Sequence, residues 1–331
     1  MPESKRIGPL PTVSIIIATC ARPAALAETL RSLAGVQIPT TWSVELVLVE
    51  NAAHAGVEGL LPLVPKDRFS TSRYFFEPLK GKSHALNLAL AQAGGDILLF
   101  TDDDVRFPED WLTRMCEPIV AGRADAVAGG VRLAPHLLRP WMNRTHRAWL
   151  ASTADYLPPQ NPSEMCGANM AIRRGVFDRI GGFDVELGPG ITGGGEESLL
   201  SWQLKRAGFR LEGALHVEIE HHPDPERLSY QSWARAARLK GETRAYQLHH
   251  WFHETIRFPR LRETIIGAKL FLRSLGSPAR SPQDEGIAPW ELSYREDMAK
   301  YNRYRRERHR PRNYPSHDVR KLGNSRDPAA A

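Results

Sequence analysis

Gly94 to Asp104 reads GGDILLFTDDD, and the reading of this stretch decides the fold. Gly94-Gly95-Asp96 has the composition of a turn, and Ile97 to Phe100 is an apolar run with the length of a buried strand. Asp102, Asp103 and Asp104 close it. Three adjacent carboxylates repel one another, and keeping all of them ionised is costly unless a cation or water offsets the repulsion. At the carboxyl edge of a parallel sheet, where ligands of open α/β sheets bind, a hard divalent cation is a natural partner. Mg²⁺ and Mn²⁺ take oxygen ligands and keep open positions for substrate phosphates. The plainer reading of the same triplet is a solvated acidic turn that caps the next helix.

The flanking chain favours the sheet. Val13 to Thr19 (VSIIIAT) is a β-branched apolar run of the kind buried on both faces of a parallel sheet. Ala24 to Leu33 has helical composition, Val44 to Val49 (VELVLV) is a second strand ending at Glu50-Asn51, and Arg73 to Phe76 is a short third. Lys80-Gly-Lys-Ser-His84 leads into the helix former ALNLALAQA, residues 85–93. Trp111 to Val120 reads as a helix and Ala124 to Arg132 as a strand. Strand–helix alternation predicts an α/β fold with a mostly parallel sheet, and right-handed crossovers bring Thr19, Glu50 and Asp102 to one rim.

Further along, residues 188–195 (GPGITGGG) form a glycine-rich loop with no Lys-Ser/Thr after it, so it is not a phosphate loop. It reads as a mobile lid or a place of close backbone approach. Glu196-Glu197 then open a helix that ends at Gly208. Carboxylates in a first turn suit the helix dipole whether or not they do chemistry. Leu211 to Ile219 reads as a strand, followed by His221-His222-Pro223. Residues 226–275 read as helical, and Leu261 to Leu275 interleaves apolar residues with Arg and Lys, as a packed or a membrane-surface helix does.

The 331 residues suffice for a sizeable core, and 42% hydrophobic with 25% charged residues is an ordinary globular balance. Cys20, Cys116 and Cys166 are widely spaced, which suggests neither a disulfide framework nor a cysteine metal site, and they read as inert. The net charge of +6 resides entirely in residues 301–331, where eight Arg and one Lys face Glu307, Asp318 and Asp327. The remaining residues are formally neutral, which argues against a basic groove across the body. With no signal-like segment or apolar run of spanning length, a cytoplasmic protein is expected, with peripheral contact to an anionic membrane through the basic tail.

Taken in order, VSIIIATCARP, VELVLVEN, GKSHALNLALAQAGGDILLFTDDD, CGANMAIRRGVFDRIGGFD and GGGEESLLSWQLKRAG resemble the motifs of the family 2 glycosyltransferases over residues 11–225. That resemblance implies a GT-A fold over 11–225; composition alone adds a helical extension over 226–275 and an irregular to disordered basic tail over 276–331, where Pro, Ser, Arg and charged residues dominate. It implies an inverting enzyme that moves a sugar from a nucleoside-diphosphate sugar to a hydroxyl of a saccharide, lipid-linked or other acceptor. UDP is the leading expectation for the nucleotide, with GDP and dTDP open.

The resemblance assigns the DxD role to Asp102 and Asp104 as holders of Mn²⁺ or Mg²⁺, with Asp103 near the ribose or donor sugar. His221 or His222 stands where related enzymes place a metal-ligand histidine; otherwise the pair are surface or capping residues. Glu197 is the candidate general base and Glu196 the alternative. Thr19, Arg22, Glu50, Asn51, Lys82 and Asn87 are the candidate nucleotide-orienting residues. Two departures stand out: the second strand ends in Glu50 where the family has Asp, and Glu196-Glu197 replaces the family's Glu-Asp.

Two other readings fit parts of the chain. A metal-dependent nucleotidyltransferase would use the same carboxylates for phosphoryl transfer. A non-enzymatic binder would use the tail, where Tyr301, Tyr304 and Tyr314 interleave with Arg as in a base-stacking segment, though specific nucleic-acid binding is not expected.

Overall fold

The computed structural model describes residues 10–65, 67–277, 280–315 and 319–322. These fall into two compact units, one running up to Val185 with Glu196–Pro223, the other comprising Glu186–Gly195 and the described residues from Asp224 onward.

The first unit is built on one sheet. Its strands are β1 (Thr12–Thr19), β2 (Ser43–Glu50), β3 (Thr71–Phe76), β4 (Ile97–Thr101), β5 (Val105–Arg106), β6 (Ala126–Leu133), β7 (Asn169–Arg173) and β8 (Leu211–His221). They lie in the order β3-β2-β1-β4-β7-β6-β8-β5. β1 pairs in parallel with β2 and β4, β2 with β3, and β6 with β8. β7 runs antiparallel between β4 and β6, and β5 is antiparallel to β8. The sheet is thus mostly parallel, as the alternation predicts. β1, β2 and β4 are apolar along nearly their whole length because helices cover both faces.

The helices of this unit are α1 (Pro23–Ala34), α2 (Lys82–Gln92), α3 (Trp111–Val120), α4 (Arg144–Trp149), α5 (Gly175–Ile180) and α6 (Glu196–Arg206). α1 starts at a proline, whose fixed φ suits a first helical position. Leu26, Leu30 and Leu33 of α1 and Leu112, Met115 and Ile119 of α3 enter one core with Ile15, Leu46 and Leu99.

The Gly94-Gly95 turn is set by space as well as by chain reversal. A Cβ on Gly95 would lie 2.5 Å from the Ser14 backbone nitrogen and 2.7 Å from the Val13 carbonyl carbon. At Gly94 the nearest atom would be a Glu45 carboxylate oxygen at 3.4 Å.

The second unit contains α7 (Tyr230–Tyr246), which continues into a π-helical turn over Gln247–Trp251, then α8 (Pro259–Ser274) and α9 (Pro289–Glu307). α7 and α9 approach closely at Gly241, where a Cβ would meet the Glu296 carbonyl oxygen at 2.1 Å. The glycine-rich loop resolves as close approach. Cβ atoms on Gly193 and Gly195 would lie 2.8 Å from Leu239 Cβ and 2.5 Å from Thr243 Cγ2 of α7, and Gly195 has φ +88°.

The segment expected to be irregular, 276–331, instead carries the 19-residue helix α9. Tyr301, Tyr304 and Tyr314 are buried, so they are not available for stacking on bases. Several arginines of the tail are bound in ion pairs: Arg310 with Glu307 at 3.0 Å and Glu186 at 2.7 Å, and Arg305 with Glu263 at 2.9 Å. His250 Nε2 meets the buried Glu307 at 3.0 Å. The expectation for residues 316–318 and 323–331 lies outside the described residues.

Two alanine substitutions test the turn. Gly95→Ala should lower stability by about 1–3 kcal/mol, the usual cost of overpacking against backbone. Gly94→Ala, with ordinary clearance, should leave the midpoint of urea denaturation close to that of the parent.

Candidate active site

The register pairs Thr19 with Glu50 at the ends of β1 and β2, and the three aspartates leave β4 on the same rim. Asp103 is fully buried. Its carboxylate accepts a hydrogen bond from Thr19 Oγ1 and pairs with the Arg22 guanidinium, and its carbonyl accepts Thr29 Oγ1 of α1 at 2.8 Å. Burial pushes Asp103 up to about 6, with Asp104 and Asp102 adding to the rise while Arg22 and Thr19 oppose it. Asp103 therefore anchors the β1–α1 turn to the acidic triplet. Thr19 is likewise spent on Asp103. Arg22 remains 40% exposed in its side chain and also holds Asp104 Oδ2 at 2.6 Å.

Asp104 and His221 converge because Val105, the residue after Asp104, pairs with His221 across β5–β8. His221 Nδ1 lies 2.9 Å from the Leu150 carbonyl oxygen, a bond it can make only as an N–H donor. In the neutral ring this leaves the Nε2 lone pair facing Asp104 Oδ1 at 3.4 Å. That oxygen is buried and has no hydrogen-bond partner among the described residues. Burial alone would raise Asp104; with a proton on Nε2, His221 together with Arg22 holds it well below the usual carboxylate range, and a bound cation would take that proton's place. A buried carboxylate oxygen and an imidazole lone pair aimed at each other form the beginning of a cation site. Among the described residues no third His, Cys, Asp or Glu completes one. The pair fits Mg²⁺ or Mn²⁺, which commonly take one or two protein ligands plus phosphate oxygens and water.

On the other side of the triplet, Lys82 at the start of α2 forms an ion pair with Asp102. Burial opposes its charge, yet Asp102, Glu196 and Glu197 together raise it above the ordinary lysine range. Gly167 lies between these groups: a Cβ there would sit 3.6 Å from Lys82 Nζ and 3.9 Å from the Glu197 carboxyl carbon. Glu197 is pushed well above the usual carboxylate range by burial, by the adjacent Glu196 charge and by a hydrogen bond with Glu196, against the pull of Lys82. One oxygen of each glutamate is buried without a partner among the described residues. The Glu197 carbonyl accepts Ser201 Oγ at 2.7 Å, and Ser201 accepts Met165 N at 2.9 Å, tying the first turn of α6 to the chain before β7.

Sequence reasoning missed Tyr156, which hydrogen-bonds Cys166 close to Glu197. Burial, then Cys166 and Glu197, raise its phenol well above the usual range. The Cys166 thiol is pushed up to about 12, by burial first and Glu197 second, and so is inert as expected. Tyr156 lies in a Pro-rich irregular stretch with no periodicity to mark it.

Four expected site residues are engaged elsewhere. Glu50 Oε2 accepts Gly56 N at 2.8 Å, Val57 N at 3.1 Å and Tyr74 Oη at 2.7 Å, so the carboxylate folds the loop after β2. Asn51 donates to the carbonyls of Glu77 and Leu79 at 2.8 and 2.7 Å and accepts Gly81 N at 2.9 Å. It thereby fixes the loop that delivers Lys82. Asn87 exchanges both hydrogen bonds with the Phe183 backbone, at 2.7 and 2.9 Å. His222 Nε2 lies 2.8 Å from Glu220 and burial lowers its basicity, so of the two histidines only His221 faces Asp104.

A mostly parallel sheet with helices on both faces and an acidic cluster at the strand ends is the architecture of the GT-A glycosyltransferases. The family described as glycosyl transferase family 2 matches residues 14–181. Over 248 residues the chain is 32% identical to the succinoglycan biosynthesis protein ExoM of Rhizobium meliloti, covering 71% of this chain and 75% of that protein. The chain belongs to glycosyltransferase family 2, which sets aside the nucleotidyltransferase and the non-enzymatic binder.

Solved structures share the fold. The mannosyltransferase PcManGT from Pyrobaculum calidifontis, in complex with GDP-Man and Mn²⁺, matches with a TM-score of 0.59 at 18% identity, over 89% of this chain and 87% of that one. GalNAc-T7 with UDP, GalNAc and Mn²⁺ matches at 0.51 and 16%, over 88% and 55%.

The glutamate pair gives a stability test. Because the folded state raises Glu197 above its unfolded value, its contribution is fully present below the ordinary carboxylate range and is lost as pH rises through the raised value. Glu197→Gln should match the parent near pH ~4, then gain on it by up to ~1.4 kcal/mol for each pH unit between the ordinary and the raised value. Thermal denaturation across pH measures the divergence.

Proposed function

We propose that this chain is an inverting, metal-assisted glycosyltransferase that moves a sugar from a nucleoside-diphosphate sugar to a saccharide hydroxyl. The observation that carries the reading is the convergence of Asp104 Oδ1 and His221 Nε2 at 3.4 Å. Kinship to a succinoglycan biosynthesis protein supports a growing polysaccharide as acceptor.

Asp104 and His221 would hold the divalent ion, with Asp102 beside them under the control of Lys82. When bound, such an ion neutralises the leaving diphosphate as a Lewis acid. Arg22, partly exposed although it pairs with both Asp103 and Asp104, adds a guanidinium for the same phosphates. The Leu150 carbonyl keeps His221 in the tautomer that presents Nε2.

Glu197 takes the proton of the attacking acceptor hydroxyl. The new bond joins the acceptor oxygen to the anomeric carbon, the bond from that carbon to the diphosphate breaks on the opposite face, and configuration inverts. A carboxylate raised toward neutrality is a better base than an ordinary one, because its proton affinity is nearer that of the working solution. Lys82, shared between Asp102 and the glutamates, limits that rise and keeps Glu197 ionisable.

A thermal-shift screen of UDP, GDP and dTDP, with and without Mn²⁺ or Mg²⁺, tests the donor site. A nucleotide at about 100 times its Kd should add ~2.7 kcal/mol of stability. Asp104→Ala and His221→Ala should abolish the metal-dependent part, and His222→Ala should keep it. If no nucleotide stabilises the protein with either metal, the donor reading fails.

Catalysis is tested separately. Glu197→Gln should lower kcat by about 10²–10⁴-fold while leaving the nucleotide shift intact. The anomeric configuration of the product, read by NMR, decides inversion.

A further inference from the structure

Six of the twelve large hydrophobic side chains that stand exposed among the described residues lie between Phe258 and Leu275, on α8 and its flanks: Phe258, Leu261, Ile265, Phe271, Leu272 and Leu275. Phe258 is the most exposed, at 74%, and its backbone sits in the left-handed region at φ +52°. An aromatic residue held there to present its ring to water is costly and unusual.

At about 3.6 residues per turn, Leu261, Ile265, Ala268, Leu272 and Leu275 fall along one line of α8. Arg262, Lys269 and Arg273 flank that line on one side and Arg260 on the other. From Arg257 to Ser277 the chain has five cationic residues and a single acid, Glu263. Glu263 lies on the opposite face, where it meets Asn302 at 3.0 Å and Arg305 at 2.9 Å of α9. Gly267 is on the same inner face, 3.9 Å from the Met298 methyl were it to carry a Cβ. The helix therefore already has its packing partner on one side. Its outer side combines an apolar stripe with positive edges. At its amino end a surface cleft is lined by Phe258, Arg260, Leu261, Arg305, Arg306 and Arg308.

We infer that the outer face of α8 docks on an anionic membrane surface, lying in the plane of the interface. The apolar stripe enters the boundary between headgroups and acyl chains, and the flanking Arg and Lys side chains meet lipid phosphates. Charge argues for this occupant over a second copy of the chain, since a symmetric pair would set the same cations against each other. None of the described helices is long and apolar enough to cross a membrane, so the contact is one of lying on the bilayer. The docking element is α8, the segment whose sequence allowed a packed or a membrane-surface helix, together with the cleft at its amino end, to which the tail contributes Arg305, Arg306 and Arg308.

The full chain is sedimented with vesicles of phosphatidylcholine alone and of equal parts phosphatidylcholine and phosphatidylglycerol. It should bind the anionic vesicles, and binding should weaken at least tenfold as salt is raised, because the electrostatic part is screened. The double variant Leu261→Glu/Leu272→Glu should lose vesicle binding by more than tenfold. Arg260→Glu/Lys269→Glu should lose it while keeping monodisperse behaviour. Leu138→Glu, at an exposed leucine of the first unit, should change nothing. Sugar transfer to a soluble acceptor should persist in all three, which separates loss of docking from loss of fold or activity.

Absence of binding to both vesicle types overturns the inference. So does vesicle binding that the α8 variants leave intact. So does a dimer that Leu261→Glu/Leu272→Glu converts to monomer with no change in lipid binding, which assigns the face to a second copy.

Discussion

The structure of the site depends on one electrostatic constraint: five carboxylates are gathered at one sheet edge with two cations to balance them. Arg22 is set against Asp103 and Asp104, and Lys82 against Asp102 with Glu196 and Glu197 nearby. The imbalance shows in how the carboxyls divide. Asp104, with Arg22 and His221 beside it, is held strongly acidic, whereas Asp103 is raised to about 6 and Glu197 well above its usual range. Two of the five are thus pushed toward their protonated forms because burial removes water and the available cations do not reach everything. A divalent ion at Asp104 would relieve the same imbalance, which is why the proposed metal site and the proposed base belong to one charge system.

Each cation is placed by a different part of the sequence, and the placement is indirect. Arg22 lies at the end of the β1 turn, which Thr19 and Thr29 lock to Asp103 through side-chain and backbone bonds. Lys82 is the first residue of α2, and the loop before it is fixed by Asn51 from the end of β2. The Asn87–Phe183 clamp then joins α2 to the chain after β7. Thr19, Thr29, Asn51 and Asn87 thereby set the geometry of Arg22 and Lys82 through their bonds to neighbouring segments.

The sheet and the acidic rim were legible in the sequence because their signals are local. Continuous β-branched runs mark strands buried on both faces, and Asp102 to Asp104 directly follow one of them. Glu50, Asn51 and Asn87 were legible as polar residues near the rim, but their roles were not. Their partners are backbone groups of other segments, and no spacing rule reveals which carbonyl will satisfy a given amide. The burial of Asp103 against Thr19 and Arg22 was illegible for a related reason, since alternation along a chain leaving a strand does not say which of three aspartates turns inward. α9 escaped because it is rich in Arg, Glu and Tyr and poor in aliphatic residues. It is ordered by burying Tyr301, Tyr304 and an ion-paired Glu307 against α7 and its π-turn, which a reading of hydropathy does not register.

The distribution of charge also bears on how an anionic donor would reach the site. Outside residues 301–331 the chain is formally neutral, so there is no broad positive field over the catalytic unit to steer a diphosphate from a distance. At physiological salt, fields from exposed charges fade over roughly 8 Å in any case. Attraction must therefore be local, supplied by Arg22 and by an ion at Asp104 and His221, and it would act only once the phosphates are nearly in place. An acidic cluster without that ion repels a diphosphate. On the proposed reading, metal and donor bind cooperatively, each supplying the charge that the other needs.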